Sequence, residues 1–181
     1  MPAPGKKAPK KITESYLHNS GLHYLQRFAT GTGNFRRVMM RKVDRSCRAH
    51  PDQSREDCAR MVEALIEKFS RAGLLDDAGY VRGAVASLRR RGESTRAIEA
   101  RLSAKGLPRE TVRDALQADG GDDLQAAVRF ARRRKLGPFA AGKSKDPEKQ
   151  MAALARAGYG YEIAAKVLAM TAGEAEEVLQ N

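Results

Sequence analysis

At 181 residues with 41% hydrophobic content the chain has enough apolar material for a core, but 6% aromatic residues and no Trp make that core aliphatic and Ala-rich. Its 34 Lys and Arg against 22 Asp and Glu leave a formal net charge of +12 and a pI near 10.0, which points to a polyanionic partner: nucleic acid, an acidic protein surface or an anionic membrane. With no run of about 18 apolar residues and no apolar N-terminal stretch, neither a transmembrane helix nor a secretory signal is expected, and the expected location is the cytoplasm.

The first eleven residues, MPAPGKKAPKK, contain Pro, Gly and Lys and little to bury, so residues 1–12 read as a disordered basic arm whose four lysines either contact phosphate or stay solvated. From Glu14 to Ala29, Leu17, Gly21, Tyr24, Leu25 and Phe28 share one helical face, and Thr30 to Asn34 is a breaker run. Phe35 to Cys47 resumes the pattern with Phe35, Val38, Met39, Val43 and Cys47 inward and Arg36, Arg37, Arg41 and Arg45 opposite. Ser54 and Asp57 start a long helix with an apolar stripe from Cys58 through Met61, Val62, Leu65, Ile66, Phe69 and Ala72, which Gly73 ends.

Three short helices follow in Gly73 to Leu116. Asp77 is the N-cap candidate for Ala78 to Arg90, where Val81, Ala84, Val85 and Leu88 form the stripe. Ser94 or Thr95 caps Arg96 to Lys105, Gly106 suits a left-handed C-terminal position, and Pro108 opens a third helix carrying Val112 and Leu116. After a Gly and Asp linker at 119–123, Leu124 to Lys135 forms a basic helix, and Leu136 to Lys145 shows no periodicity. Asp146, Pro147 and Glu148 start a helix that runs to Gly158. Another helix spans Tyr161 to Met170, and Thr171 with Glu174 forms a capping box for a last short one.

Aligning Gly106 with Gly158 places RLSAKGLPRETVRDAL over ALARAGYGYEIAAKVL, so that Leu102 meets Leu154, Leu107 meets Tyr159, Glu110 meets Glu162 and Leu116 meets Leu168. Tyr16 to Ala72 follows the same order with a longer last helix. The fold class expected is all-α, an elongated, curved array of three tandem three-helix repeats, with units at 13–73, 74–118 and 119–181.

The run GLLDDAGYVRGAV, a basic helix, then RAIEARLSAKGLPRETVRDAL resembles the signature of the RecX family, bacterial regulators of the RecA recombinase. KQMAALARAGYGYEIAAKVL is similar to that family's last unit. The resemblance implies a non-enzymatic, monomeric regulator that lodges in the helical groove of a RecA filament on DNA, suppressing its ATPase and strand exchange and altering filament growth. Direct nucleic-acid contact is a further possibility that the resemblance leaves open.

Candidate contact residues are the cations flanking the stripes. Arg82 and Arg89, seven residues apart, share one helix flank, and Arg90 and Arg91 extend it. Arg96, Arg101 and Lys105 continue the charge on the next helix, and Arg129, Arg132, Arg133 and Arg134 repeat it in the third unit. Tyr80, Tyr159 and Tyr161, at helix starts, read as packing residues more than stacking platforms.

Catalysis finds no support. The glycines at 31 and 33 precede no Gly-Lys-Ser/Thr, the neighbouring Asp76 and Asp77 do not face each other, and no nucleophile triad is suggested, so no cofactor is expected. A metal set of Cys47, His50 and Cys58 with His18 or His23 lacks the tight paired spacing of zinc sites, and the two cysteines read as core thiols. The rival function is a helical DNA-binding module without a recombinase partner. A membrane-surface role is the weaker third.

Overall fold

The computed structural model describes residues 9–140 and 146–180. Every regular element among them is helical: α1 Glu14–Leu25, α2 Thr32–Ala49, α3 Arg55–Arg71, α4 Asp77–Arg90, α5 Thr95–Ala104, α6 Arg109–Asp119, α7 Asp123–Arg134, a 3-10 turn Gly137–Phe139, α8 Pro147–Arg156, α9 Tyr161–Ala169 and α10 Ala172–Gln180. No described helix is long and apolar enough to cross a membrane. The helices fall into two compact units that divide after Tyr80, in the first turn of α4.

In the first unit the stripes of α2 and α3 meet, and α1 packs against both. Phe35, Met39 and Val43 of α2 are buried with Cys58, Val62, Ile66 and Phe69 of α3 and Leu17 of α1. The Phe35 and Phe69 rings lie 5.8 Å apart. Removing either ring from a core this small would cost about 3–5 kcal/mol. Cys47 and Cys58 are free thiols in this core, as read from their apolar positions; burial, and then the hydrogen bond with Cys47, pushes the Cys58 thiol up. His18 packs edge-on against Phe69, with ring centroids 5.3 Å apart.

Four expectations for this unit need revision. Residues 9–12, expected to belong to a disordered arm, are tied to the folded unit. The Gln53 amide accepts from the Ile12 amide N–H and donates to the Ile12 carbonyl, both at 2.9 Å. Ser46 donates to the Lys10 carbonyl at 2.9 Å, the His50 ring lies 2.7 Å from the Pro9 carbonyl, and Ile12 is buried. Residues 1–8 lie outside the described residues. Helix α1 stops at Leu25, leaving Phe28 exposed beyond it. Helix α2 starts at Thr32, inside the supposed breaker run, because Asp77 accepts from the Thr32 amide at 2.6 Å and supplies the cap that Gly31 cannot. The cap of α4 is instead Asp76, which accepts from the Gly79 amide at 2.9 Å.

In the second unit the sequence alignment holds position by position. Leu102 and Leu154 are both fully buried, and Leu107 and Tyr159 are buried one turn on. Each helix end is closed the same way. Leu107 N–H donates to the Leu102 carbonyl at 3.3 Å and Tyr159 N–H to the Leu154 carbonyl at 3.2 Å, with Gly106 and Gly158 at φ +79° and +92°. Ser94 caps α5, and Thr171 with Glu174 forms the reciprocal box before α10. Pro108 is the N-cap residue of α6 and not its first helical residue. The stretch after Leu136 contains the 3-10 turn, held by the Gly137 N–H donating to the Gln150 side chain at 2.7 Å; residues 141–145 lie outside the described residues.

Candidate functional site

All the candidate cations lie in the second unit, whose internal joint decides how they are presented. The turn between α4 and α5 puts Gly92 at φ +70° against the backbone of α7. A Cβ there would stand 2.8 Å from both the Ala126 carbonyl oxygen and the Phe130 nitrogen, so only glycine allows the approach. Tyr159 donates its hydroxyl to the Gly92 carbonyl at 2.9 Å, and Ser94 donates to the Ala157 carbonyl at 2.8 Å. Burial, and next the Asp123 charge, raises the Tyr159 hydroxyl well above its ordinary value, so it stays a donor at any physiological pH. Arg133 closes the joint by donating to the Arg91 carbonyl at 2.5 Å.

This joint gathers cations that are far apart in sequence. Arg90, the last residue of α4, and Arg91, in the turn after it, are exposed, and Arg133 and Arg134 at the end of α7 stack over the Phe130 ring at 5.6 and 5.9 Å. Arg129 is half-buried beside Gly92, and Arg96 lies beside the turn between α8 and α9. Arg101 and Arg132 are exposed and paired, with Glu93 at 3.2 Å and Glu176 at 3.4 Å. Arg82 and Lys105 are exposed on α4 and at the end of α5.

Arg89 departs from the surface role read for it. It is 7% exposed, makes an ion pair with Asp123, lies 3.4 Å from Asp119 and donates to the Thr95 hydroxyl at 2.6 Å. Asp123 also accepts from the Thr95 amide at 2.8 Å. Burial works to raise the Asp123 carboxyl, but the hydrogen bonds from Arg89 and Thr95 outweigh it and hold it below the usual carboxylate range. The α6–α7 connection thus covers the C-terminal end of the flank that Arg82 leaves open, and Arg89 ties the α4–α5 turn to α7.

Beside the joint is a hollow of about 460 Å³ lined by Phe130, Leu136, Ala153 and Ala157 with Arg134 and Arg156. Sequence reading passed over Arg156, whose signal was its place two residues before Gly158, and Phe130, which falls among arginines, outside the stripe of Leu124, Ala127, Val128 and Ala131 that the helical spacing assigns to this helix. An apolar floor flanked by guanidinium groups can hold a carboxylate or phosphate by paired N–H donors. Tyr159 is buried in the joint, whereas Tyr161 is 76% exposed.

Residues 76–116 match the family model described as RecX, second three-helix domain. A regulatory protein RecX from Myxococcus xanthus (strain DK1622) is 41% identical over 170 residues, covering 91% of this chain and 90% of the relative. A regulatory protein RecX from Agrobacterium fabrum (strain C58 / ATCC 33970) is 36% identical over 169 residues, covering 92% and 89%. Two crystal structures share the fold. One, of a regulatory protein RecX, has a TM-score of 0.63 at 17% identity, covering 85% of this chain and 70% of its own. The other, of RecX from Lactobacillus salivarius, has a TM-score of 0.61 at 19% identity, covering 91% and 97%. With such identity sustained over most of both sequences, the chain belongs to the RecX family.

Proposed function

We propose that this chain regulates the RecA recombinase, mainly as an inhibitor, by lodging in the helical groove of the RecA filament on DNA and modulating ATPase, strand exchange and filament growth. It would act as a monomer in the cytoplasm, without catalysis of its own, in homologous recombination, DNA repair and the SOS response. The observation that carries the reading is the cationic joint of the second unit, in a chain whose relatives are named regulatory proteins: Arg90 and Arg91 at the end of α4 and Arg133 and Arg134 at the end of α7, about 40 residues apart, converge around one turn. Division into three-helix units at 13–73, 74–118 and 119–181 belongs to the same proposal. Each unit would contribute weak contacts that add through high effective concentration on a polymer.

The test is the ATPase of RecA filaments preassembled on single-stranded DNA. Inhibition well below one copy per protomer is expected, and no inhibition at equimolar protein would remove the reading. The rival, a direct DNA-binding protein with no recombinase partner, predicts affinity for bare DNA that survives physiological salt and shows a site preference.

A further inference from the structure

The first unit contains a second polar hollow, remote in sequence from the cations of the joint. Its volume is about 530 Å³, and one wall is the face of α1 on which Tyr16, Asn19, Ser20 and His23 recur at i, i+3, i+4 and i+7. This is the side of α1 away from buried Leu17 and Gly21. Lys42 of α2 reaches over it, its ammonium 6.0 Å from the Tyr16 ring centroid. Lys10 and Lys11 form the third wall, and their place is fixed by the Ser46, Gln53 and His50 contacts that pin the Pro9–Ile12 backbone. Lys11 is paired with Asp52 at 2.5 Å, which leaves Lys10 and Lys42 as the cations available to an incoming anion.

No Asp or Glu among the described residues lines the hollow, and no Arg does. Lysines interleaved with hydroxyl and amide groups are the set that contacts phosphate oxygens and sugars without reading sequence. Lysine binds phosphate as a point charge, without the planar fork that arginine offers to carboxylate and phosphate alike. We propose that this hollow binds the phosphodiester backbone of nucleic acid, with Lys10 and Lys42 neutralising phosphates and the polar face of α1 donating hydrogen bonds to them.

Binding of the full chain to a short labelled oligothymidylate, followed by fluorescence anisotropy at several salt concentrations and with no recombinase present, tests this site separately from the recombinase reading. K10A/K42A is expected to weaken binding about tenfold and to reduce the slope of log affinity against log salt by about 1.4, roughly 0.7 for each phosphate of a single strand that is no longer neutralised. R109A/R113A removes the same charge from exposed positions on α6 and is expected to stay within about twofold of the parent, on the same counterion reasoning. N19D leaves every cation in place, sets a carboxylate in the hollow and is expected to weaken binding like the lysine pair. Unchanged affinity in K10A/K42A and N19D, or an equal loss in R109A/R113A, overturns the site. Displacement of the strand by pyrophosphate or by polyglutamate as readily as by unlabelled strand, at matched charge, overturns nucleic acid as its ligand.

Discussion

Arg89 shows how one side chain can change roles between a helical wheel and a folded unit. It follows Val81 and Val85 at successive intervals of four, so it stands on the edge of the apolar stripe, and that spacing was available in the sequence. Its partners Asp119 and Asp123, read only as linker residues, could not be assigned to it from spacing alone, because the pairing closes a loop of some 30 residues. R89A is expected to destabilise the protein by about 3 kcal/mol in urea unfolding, the order found when one member of a buried pair is removed and the other is left without compensation. The pH dependence follows from Asp123. Its carboxyl is lower in the folded protein than in the unfolded chain, so it adds stability above the unfolded value near 4, and that contribution is lost as pH falls through the folded value. D123N should therefore be less stable than the parent at pH 6, with a gap that narrows below about pH 4. Parallel stability curves for the two proteins would mean that the pair contributes nothing.

At the scale of elements, most helices were legible because their ends carry local chemistry. Ser54, Ser94, Asp146 and the Thr171–Glu174 box each bond an amide two or three residues away, and such short links are written in the sequence. The start of α2 was not legible, since its cap comes from Asp77, 45 positions on, while the nearby Gly31, Thr32 and Gly33 read as breakers. The repeat was legible in Leu102 and Leu154, but not the joint at Gly92, where a close backbone approach leaves no pattern beyond a single glycine. The distant cap gives a separable expectation. D77A should expose the Thr32 amide, accelerate its hydrogen exchange and cost about 1 kcal/mol, the usual loss on removing a cap. D76A should spare Thr32 and act instead on the Gly79 amide at the start of α4. Equal protection of Thr32 in D77A and the parent would show that Asp77 does not hold this helix end.

For the whole molecule, a charge of +12 makes attraction to polyanions general, so net charge alone cannot distinguish a specific filament contact from nonspecific adhesion. Placement can. R90A/R91A/R134A removes three exposed cations around the joint and leaves the buried Arg89–Asp123 pair intact, so its folding stability should stay within about 1 kcal/mol of the parent. If the joint is a main contact with the RecA filament, half-maximal ATPase inhibition should require at least about tenfold more of this variant, an affinity loss of about 1.4 kcal/mol. Exposed R109A/R113A on α6 should change it little. Salt then identifies what the cations touch. Contacts to DNA phosphates release counterions, so the parent should weaken steeply and linearly in log salt, and the variant with a shallower slope. Contacts to carboxylates on the recombinase should instead be screened more gently, over the Debye length of about 8–10 Å. An unchanged inhibition curve for R90A/R91A/R134A at every salt concentration would move the functional surface away from the joint and leave its arginines as a solvated edge of the fold.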